Sequence, residues 1–342
     1  MPQPRTRWPT QSDVARLAEV SQPVVSYVLS GDPAAPVAPE TRQRVLDAIE
    51  RLGYIPDRRA RGLRQQRTFT IAGVIPDITN PFYPAFERGV QDVAERRDYD
   101  LVTYNTDGIR EKELKAVRAV RESRVDGVII TPFHLTAEEL SDVVRDGIAV
   151  CINGIPGWDP IPLGMDQVAN DSVAAAATAV NWLLELGHTR IGMIAGEEGT
   201  FPREARVRGY LQALADHDLP TDPILVRSVG FTVEGGRDAA RELLALTPRP
   251  TAIFAANDLM AMGAMRQIRE MGLRVPEDVA IVGFDDIPAA SLVHPALTTI
   301  AQYPEQLGRR AAELIFERLD GNMGSPGRRE DTPFDLVLRD SA

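Results

Sequence analysis

Cysteine is nearly absent from this 342-residue chain: there is one, Cys151, inside the apolar run IAVCIN. A single thiol cannot build a disulfide framework, and nothing around it has metal-ligand spacing, so a buried thiol and no metal site are expected. Histidine is scarce as well, with four scattered residues. No apolar run reaches the roughly 20 residues that span a bilayer. Met1 to Trp8 is rich in Pro and Arg with no apolar core, so no signal peptide is expected and the expected location is the cytoplasm. The chain also lacks a P-loop, a GxSxG elbow, a GxGxxG fingerprint and an HExxH pair. An enzyme reading is left with Asp and Glu in a cleft; no catalytic residue and no cofactor is expected.

What is present is unevenly charged. Residues 1 to 67 hold 11 Arg and 7 acidic residues, whereas the other 275 residues hold 27 Lys or Arg against 42 acids. A basic end on an acidic body is the asymmetry of a chain in which one part meets a polyanion and the rest does not. An ordinary basic tail would share the charge but not the helix periodicity found there. At this length, with 44% hydrophobic residues, the chain can fill two or three cores.

Thr10 and Asp13 have the spacing of a capping box, which predicts a helix from Asp13 to Ala18 with Val14, Leu17 and Ala18 as its apolar stripe. Glu19-Val20 makes a turn. Ser21 is a good N-cap for a second helix, with Pro23 in its first turn and Val25, Val28 and Leu29 facing inward. Gln22, Pro23, Ser26 and Tyr27 are left facing out. In a helix-turn-helix these outward N-terminal positions of the second helix meet base edges in the major groove, while caps such as Thr10 and Ser21 meet phosphate. A third helix, Pro39 to Leu52, closes the core with Val45, Leu46, Ile49 and Leu52. Then comes DRRARGLR, residues 57 to 64, a poor helix alone because Gly62 costs roughly 1 kcal/mol against Ala. Against phosphates, arginines such as Arg58 and Arg61 lose their mutual repulsion, and Leu63 can wedge between base steps in the minor groove. A plain basic linker is the alternative.

From Phe69 onward, short β-rich runs alternate with helical patterns. FTIAGVI, DLVTYN, DGVIIT and IAVCIN are candidate strands separated by helices near 84 to 97, 110 to 123 and 136 to 146. RIGMIAG, ILVRSV, TAIFAAN and VAIVGFDD repeat the pattern after an alanine-rich helix at 168 to 186. Strands alternating with helices form parallel sheets covered on both faces, and two such sets imply an α/β body of two doubly wound lobes. Ligands of such sheets bind at the carboxyl ends of the strands. Those junctions carry Asn80, Phe82, Tyr83, Asn153, Phe231, Asn257, Asp285 and Gln302, with Arg206 on FPREARVRGY. Carboxylate, amide, guanidinium and ring together suit a small polyhydroxylated ligand. Taken singly, each has a bland explanation: Asn80 before Pro81 shapes a turn, Asp258 caps its helix, and Asp285-Asp286 is a solvated loop.

TQSDVARLAEVSQPVVSYVLSG and APETRQRVLDAIERLGYIPDRRARGLR resemble the head and hinge of the lac repressor (LacI/GalR) family of bacterial transcription regulators. The similarity continues through IAGVIPDITNPFY, LLELGHTRIGMIAG, TAIFAANDLMAMGAMRQIREMGLRVPEDVAIVGFDD and PALTTIAQ, covering nearly the whole chain in order. It implies a helix-turn-helix head at 1 to 56, a hinge at 57 to 67, and a body of periplasmic-binding-protein type at 68 to 342. In that body lobe 1 is expected at about 68 to 166 and 298 to 325, and lobe 2 at about 167 to 297 and 326 to 342. It also implies base reading by Gln22, Pro23 and Tyr27, a minor-groove wedge at Leu63, and effector contacts at Phe82, Tyr83, Asn153, Arg206, Phe231, Asn257, Asp285 and Gln302.

The chain departs from the family pattern in places. Tyr27 stands where many members have Arg, which changes the base expected opposite it. Glu19 replaces a turn glycine, Ala38 an N-cap serine, Gly62 and Arg59 a serine and an apolar residue of the hinge, and Asn153 a frequent Asp. The expectation is a ligand-responsive regulator, a repressor that acts as a homodimer on a near-palindromic operator and is switched by a sugar or sugar derivative, cytoplasmic and free of membrane partners. The chain stops soon after Leu338 without apolar heptads, so a tetramerising coil is not expected. GNMGSPGRRED, after Asp320, reads as a flexible crossover. The alternative is a sugar-binding protein or carbohydrate-acting enzyme with an accessory DNA-binding head.

Overall fold

The computed structural model describes residues 8–30, 36–55, 67–123, 125–146, 149–152, 165–322 and 326–342. The hinge residues Arg58, Arg61 and Leu63, with Arg59 and Gly62, lie outside the described residues, and so does Asn153. The chain divides into two compact units, Met1–Thr68 and Phe69–Ala342.

Among the described residues the first unit holds three helices, α1 (Gln11–Leu17), α2 (Gln22–Ser30) and α3 (Pro39–Leu52). The capping box forms, with the Asp13 amide donating to Thr10 Oγ1 and the Thr10 amide donating to Asp13 Oδ2 at 2.9 Å. It starts α1 at Gln11 rather than Asp13. Glu19 holds the turn at φ 54, a left-handed conformation that disfavours any residue with a Cβ. Ala38 supplies no side-chain bond to α3, and Gly53, at φ 59, ends it. Val14, Ala15, Ala18, Val25, Val28, Val45 and Ala48 form the core. Leu17 and Leu46, expected in that core, are 37% and 44% exposed. At 3.6 residues per turn Leu17 falls on the flank of the Val14–Ala18 line and Ala15 takes the inner place; Leu46 is displaced in the same way by Ala48.

From Phe69 the order is β1 (Thr70–Ile75), α4 (Phe82–Arg96), β2 (Asp100–Asn105), α5 (Arg110–Ser123), β3 (Gly127–Ile130), α6 (Ala137–Asp146), β4 (Ala149–Ile152) and β5 (Met165–Asn170). There follow α7 (Ser172–Glu185), β6 (Ile191–Ile194), α8 (Phe201–Asp216), β7 (Val226–Arg227), α9 (Val233–Leu244), β8 (Ala252–Ala255), α10 (Asp258–Glu270), β9 (Ala280–Val282), β10 (Thr299–Ala301), α11 (Pro304–Glu317), β11 (Arg328–Thr332) and β12 (Asp335–Val337). Lobe 1 is a parallel sheet in the order β11-β5-β4-β3-β1-β2, and lobe 2 a parallel sheet β7-β6-β8-β9 flanked by the antiparallel pair β10-β12. In each lobe the first strand, β1 or β6, has neighbours reached in opposite directions, so a topological switch point lies beside it. Among the described residues, no helix is long and apolar enough to cross a membrane.

Helix pairs on the outer faces approach closely at glycines. A Cβ on Gly89 of α4 would lie 1.9 Å from the Glu305 carbonyl oxygen, and one on Gly308 of α11 would lie 2.0 Å from that of Phe86. Gly236 and Gly263 do the same between α9 and α10. These side-chain-free spots let the helices seat deep against each other and against the sheets.

Three expectations are corrected. Residues 165 to 170 form a strand, so the helix expected from 168 begins at Ser172. The strand is buried throughout although Asp166, Gln167 and Asn170 are polar; Asp166 and Asn170 have distant partners that no local pattern shows. The expected flexible crossover contains β11, whose RREDT sequence reads as loop because an edge strand exposes alternate side chains. Consequently β11 belongs to lobe 1 beside β5, whereas β10, tied to lobe 2 by the Val282–Thr298 and Asp285–Ala301 bridges, leaves lobe 1. The chain crosses between lobes near 171, 302 and 333.

Asn170 Nδ2 donates to Thr332 Oγ1 at 2.9 Å and to the Pro333 carbonyl at 2.8 Å, and the Tyr303 hydroxyl donates to Asp335 Oδ2 at 2.6 Å. The three crossings are thus bonded to one another. At the far end of the β5–β11 pair, where Asp166 lies beside Arg328, Arg318 makes a two-pronged contact with Asp166, Nε to Oδ2 at 2.8 Å and Nη2 to Oδ1 at 2.6 Å, both side chains being 0% exposed.

Candidate functional site

A cavity of about 170 Å³ opens between the two lobes at the switch points. After β1 come Asp77, Asn80, Phe82 and Tyr83; after β2, Asp107; after β3, Phe133. The facing wall is Glu197 after β6, Pro202 and Arg206 from α8, Phe231 and Thr232 before α9, Asn257 after β8 and Asp285 after β9, with Gln302 at a crossing. Phe133 and Phe231 meet across the gap, ring centroids 5.6 Å apart. The close seat of Phe231 depends on Gly196, where a Cβ would lie 2.3 Å from the ring.

Arg206 is the centre of the cleft's electrostatics. It is 6% exposed, with Cζ 4.0 Å from the centroid of the Phe284 ring. Nη1 donates to the Ala256 carbonyl and Nη2 lies 3.8 Å from Asp285 Oδ1, while Nε has no partner among the described residues. Asp285 Oδ1 accepts from Gln302 Nε2 at 2.6 Å. Burial pushes the Asp285 carboxyl up to about 7 against the opposing pull of Arg206. Behind it, Asp258 accepts from Thr299 Oγ1 at 2.5 Å and the Ile287 amide at 2.9 Å, and burial together with Asp285 holds its carboxyl well above the ordinary range. Asp285 therefore sits near half-ionisation at neutral pH. Burial also raises the Tyr83 hydroxyl, helped by Asp285. The backbone is strained here too: Asp285 has φ 123, Asp286 φ 56 and Tyr303 φ 51.

On the helical unit, Gln11, Gln22, Pro23, Ser26 and Tyr27 line a shallow groove on one face. Gln22, Pro23 and Tyr27 are exposed and Ser26 half-buried. Gln22 sits between α1 and α2, its Nε2 donating to Gln11 Oε1 at 3.4 Å and its Oε1 accepting from Ser12 at 3.5 Å. Ser21 starts α2 through its carbonyl, which accepts from Val24 at 3.0 Å, and Thr10 is held within its capping box. Arg42, half-buried, reaches the Val28 carbonyl at 3.4 Å.

Residues 10–57 match the model of the bacterial regulatory proteins of the lacI family, and residues 180–342 match a periplasmic binding protein-like domain. Catabolite control protein A of Priestia megaterium is 35% identical over 310 residues, which span 90% of this chain and 92% of that protein. The chain belongs to the lacI family. The solved lac repressor dimer bound to operator and the anti-inducer ONPF superposes on this regulator with a TM-score of 0.86 at 27% identity, covering 98% of this chain and 99% of that one. The transcriptional regulator CelR–cellobiose complex gives 0.73 at 32% identity, with 98% and 100% covered. This lacI-family protein is a DNA-binding transcriptional regulator with a ligand-binding body, and the relatives it matches are regulators rather than enzymes.

Of the regulator's nine candidate cleft residues, the eight within the described residues line one cavity. Two of them are partly spent on structure: Asn80 Oδ1 accepts the Phe82 amide at 3.1 Å, and Asn257 is the N-cap of α10, accepting the Met260 amide at 2.9 Å. Asp258 does not cap its helix; Asn257 does. Asp285 is buried rather than a solvated loop, and Asp286 pairs with Arg339 at 2.6 Å. Asp77, Asp107, Phe133, Glu197, Pro202 and Thr232 also line the cleft. Four of these six follow strands that the sequence marks, so the strand-end rule could have found Asp77, Asp107, Phe133 and Glu197 had it been applied to every strand.

Proposed function

We propose that this regulator is a repressor, working as a homodimer on a near-palindromic operator and released or recruited by a small carbohydrate held between its lobes. Gln22, Pro23, Ser26 and Tyr27 read base edges, Thr10, Ser21, Arg58 and Arg61 meet phosphate, and Leu63 enters the minor groove. The observation that carries the ligand half is Arg206: a buried guanidinium whose Nε takes no partner among the described residues, beside Asp285, in a cleft that Phe133 and Phe231 also line. Hydroxyl groups can take both donor and acceptor there while the apolar face of a sugar ring lies on Phe133 and Phe231. The likeness to a regulator solved with cellobiose supports that ligand class.

Control needs only that the ligand prefer one arrangement of the lobes, since its differential affinity then biases how readily the hinges of a dimer pair on DNA. The test is a fluorescence-anisotropy titration of the full chain on its own promoter DNA at several salt concentrations, with and without a panel of sugars. Salt-sensitive, sequence-selective binding that one sugar shifts, and an Arg206→Met variant that binds DNA but no longer responds, are the expected results. No selective DNA binding under any condition would refute the regulatory reading, and a responsive Arg206→Met variant would refute the cleft assignment.

A further inference from the structure

The charges and the spent backbone donors of the cleft say which form of ligand it takes, an inference that rests on the carbohydrate reading above. Among the described residues that line it there are four carboxylates, Asp77, Asp107, Glu197 and Asp285, and one guanidinium, Arg206. Two of the four are matched by cations: Asp107 by Lys112 and Asp285 by Arg206. Asp77 is held only by neutral donors, the amide and hydroxyl of Thr79 at 2.8 and 2.7 Å, and Glu197 is exposed. The cleft thus carries two carboxylates that no cation pairs with among the described residues.

Orphan amides at helix N-termini are a common seat for a phosphate group, and at three helix starts facing the cleft one such amide is already engaged. The Phe82 amide of α4 goes to Asn80, the Gly235 amide of α9 to Thr232 Oγ1 at 3.0 Å, and the Met260 amide of α10 to Asn257. The start of α8 places Pro202, which has no N–H, in its first turn, behind Glu197 and Glu198. Of the buried side chains, Arg206 offers Nε, which takes no partner among the described residues, and Tyr83 its hydroxyl: one charged donor and one neutral group, both more than nine-tenths buried. They suit hydroxyl oxygens. They do not balance a dianion facing Asp77 and Glu197.

We infer that the cleft selects an uncharged polyhydroxylated ligand and rejects its phosphate ester. The selection acts through the charges of Asp77 and Glu197. Calorimetric titration of the full chain at 50 mM and 500 mM NaCl tests it with matched pairs: ribose and ribose 5-phosphate, cellobiose and cellobiose 6-phosphate, adenine and adenosine monophosphate. A neutral sugar should bind at least about tenfold more tightly than its ester at low salt, with the gap narrowing at high salt because part of it is screened Coulomb repulsion. In Glu197→Gln the neutral-to-ester ratio should fall by about threefold, and in Glu197→Lys by more; Glu197 is exposed, so both variants should fold. An ester that binds as tightly as its sugar overturns charge selection and leaves the carbohydrate reading standing. Binding of adenine but of no sugar, with the nucleotide excluded, sinks the carbohydrate reading and keeps charge selection. Binding of no compound at all sinks both.

Discussion

Replacing Arg318 by Met isolates what its buried ion pair with Asp166 contributes. Met fills much of the same volume but leaves the Asp166 carboxylate in a site with no exposure. Removing one partner of a buried pair typically costs about 3–5 kcal/mol, because the survivor is an uncompensated buried charge. Here Asp166 keeps bonds from Arg328, the amide at 3.0 Å and Nη2 at 2.9 Å, so the low end of about 3 kcal/mol is expected. For a body of this size that is a fall in Tm of roughly 6 °C or more at pH 7. Burial alone would raise the Asp166 carboxyl; the hydrogen bonds from Arg318 and Arg328 outweigh it and hold the carboxyl below the ordinary 3.8. The lowered value means that the pair's contribution is present above that pH and lost as pH falls through the folded value, so the deficit of the variant should shrink in acid. The double variant Asp166→Leu with Arg318→Met should recover at least half of the loss. Thermal melts of the four proteins close the cycle. A single variant within about 2 °C of wild type, or a double variant as unstable as the two singles combined, would refute the reasoning.

Asp285 gives a pH dependence of opposite sign. Its folded value of about 7 lies above the ordinary 3.8, so its contribution is full below pH 4, is lost between there and pH 7, and changes little above pH 8. At 1.36 kcal/mol per unit the loss is about 4 kcal/mol, and Asp285→Asn should remove that slope from melts taken between pH 4.5 and 8.5; an unchanged slope would count against it. Glu19→Gly should stabilise the helical unit by about 1 kcal/mol, read as a higher unfolding midpoint in urea, by relieving its left-handed φ of 54. Gly89→Ala should destabilise lobe 1 by more than about 2 kcal/mol, since the added methyl would sit 1.9 Å from a carbonyl oxygen of α11; a neutral result would mean that the helices slide apart freely.

Much of this architecture was legible because local signals and tertiary outcome agree. Pro39–Leu52 carries its own start and, in Gly53, its own stop, and eight body strands are β-rich runs between helical patterns. The misreadings share a cause. MDQVAN and RREDT are strands whose polar side chains are stabilised by partners more than a hundred residues away, Arg318 with Asp166 and Asn170 with Thr332, and a local reading sees only polarity. The lobe limits moved for the same reason, since strand exchange between lobes is decided by pairing. In the cleft, residue type at strand ends, with Arg206 from a helix, brought eight candidates together; the turn reading of Asn80 anticipated its local bond to the Phe82 amide, whereas the helix cap was assigned to Asp258 and falls one residue earlier, on Asn257.

The three lashed crossings have a mechanical consequence. Two bodies joined by one tether can swing in any direction, and a ligand wedged between them could then displace them in many ways at little cost. Three neighbouring ties, bonded by Asn170 and Tyr303, leave mainly one rotation, about an axis running through the ties themselves. Whatever occupies the space between the lobes is then transmitted as a change in a single angle, and its size or shape alters how far that angle turns rather than which way.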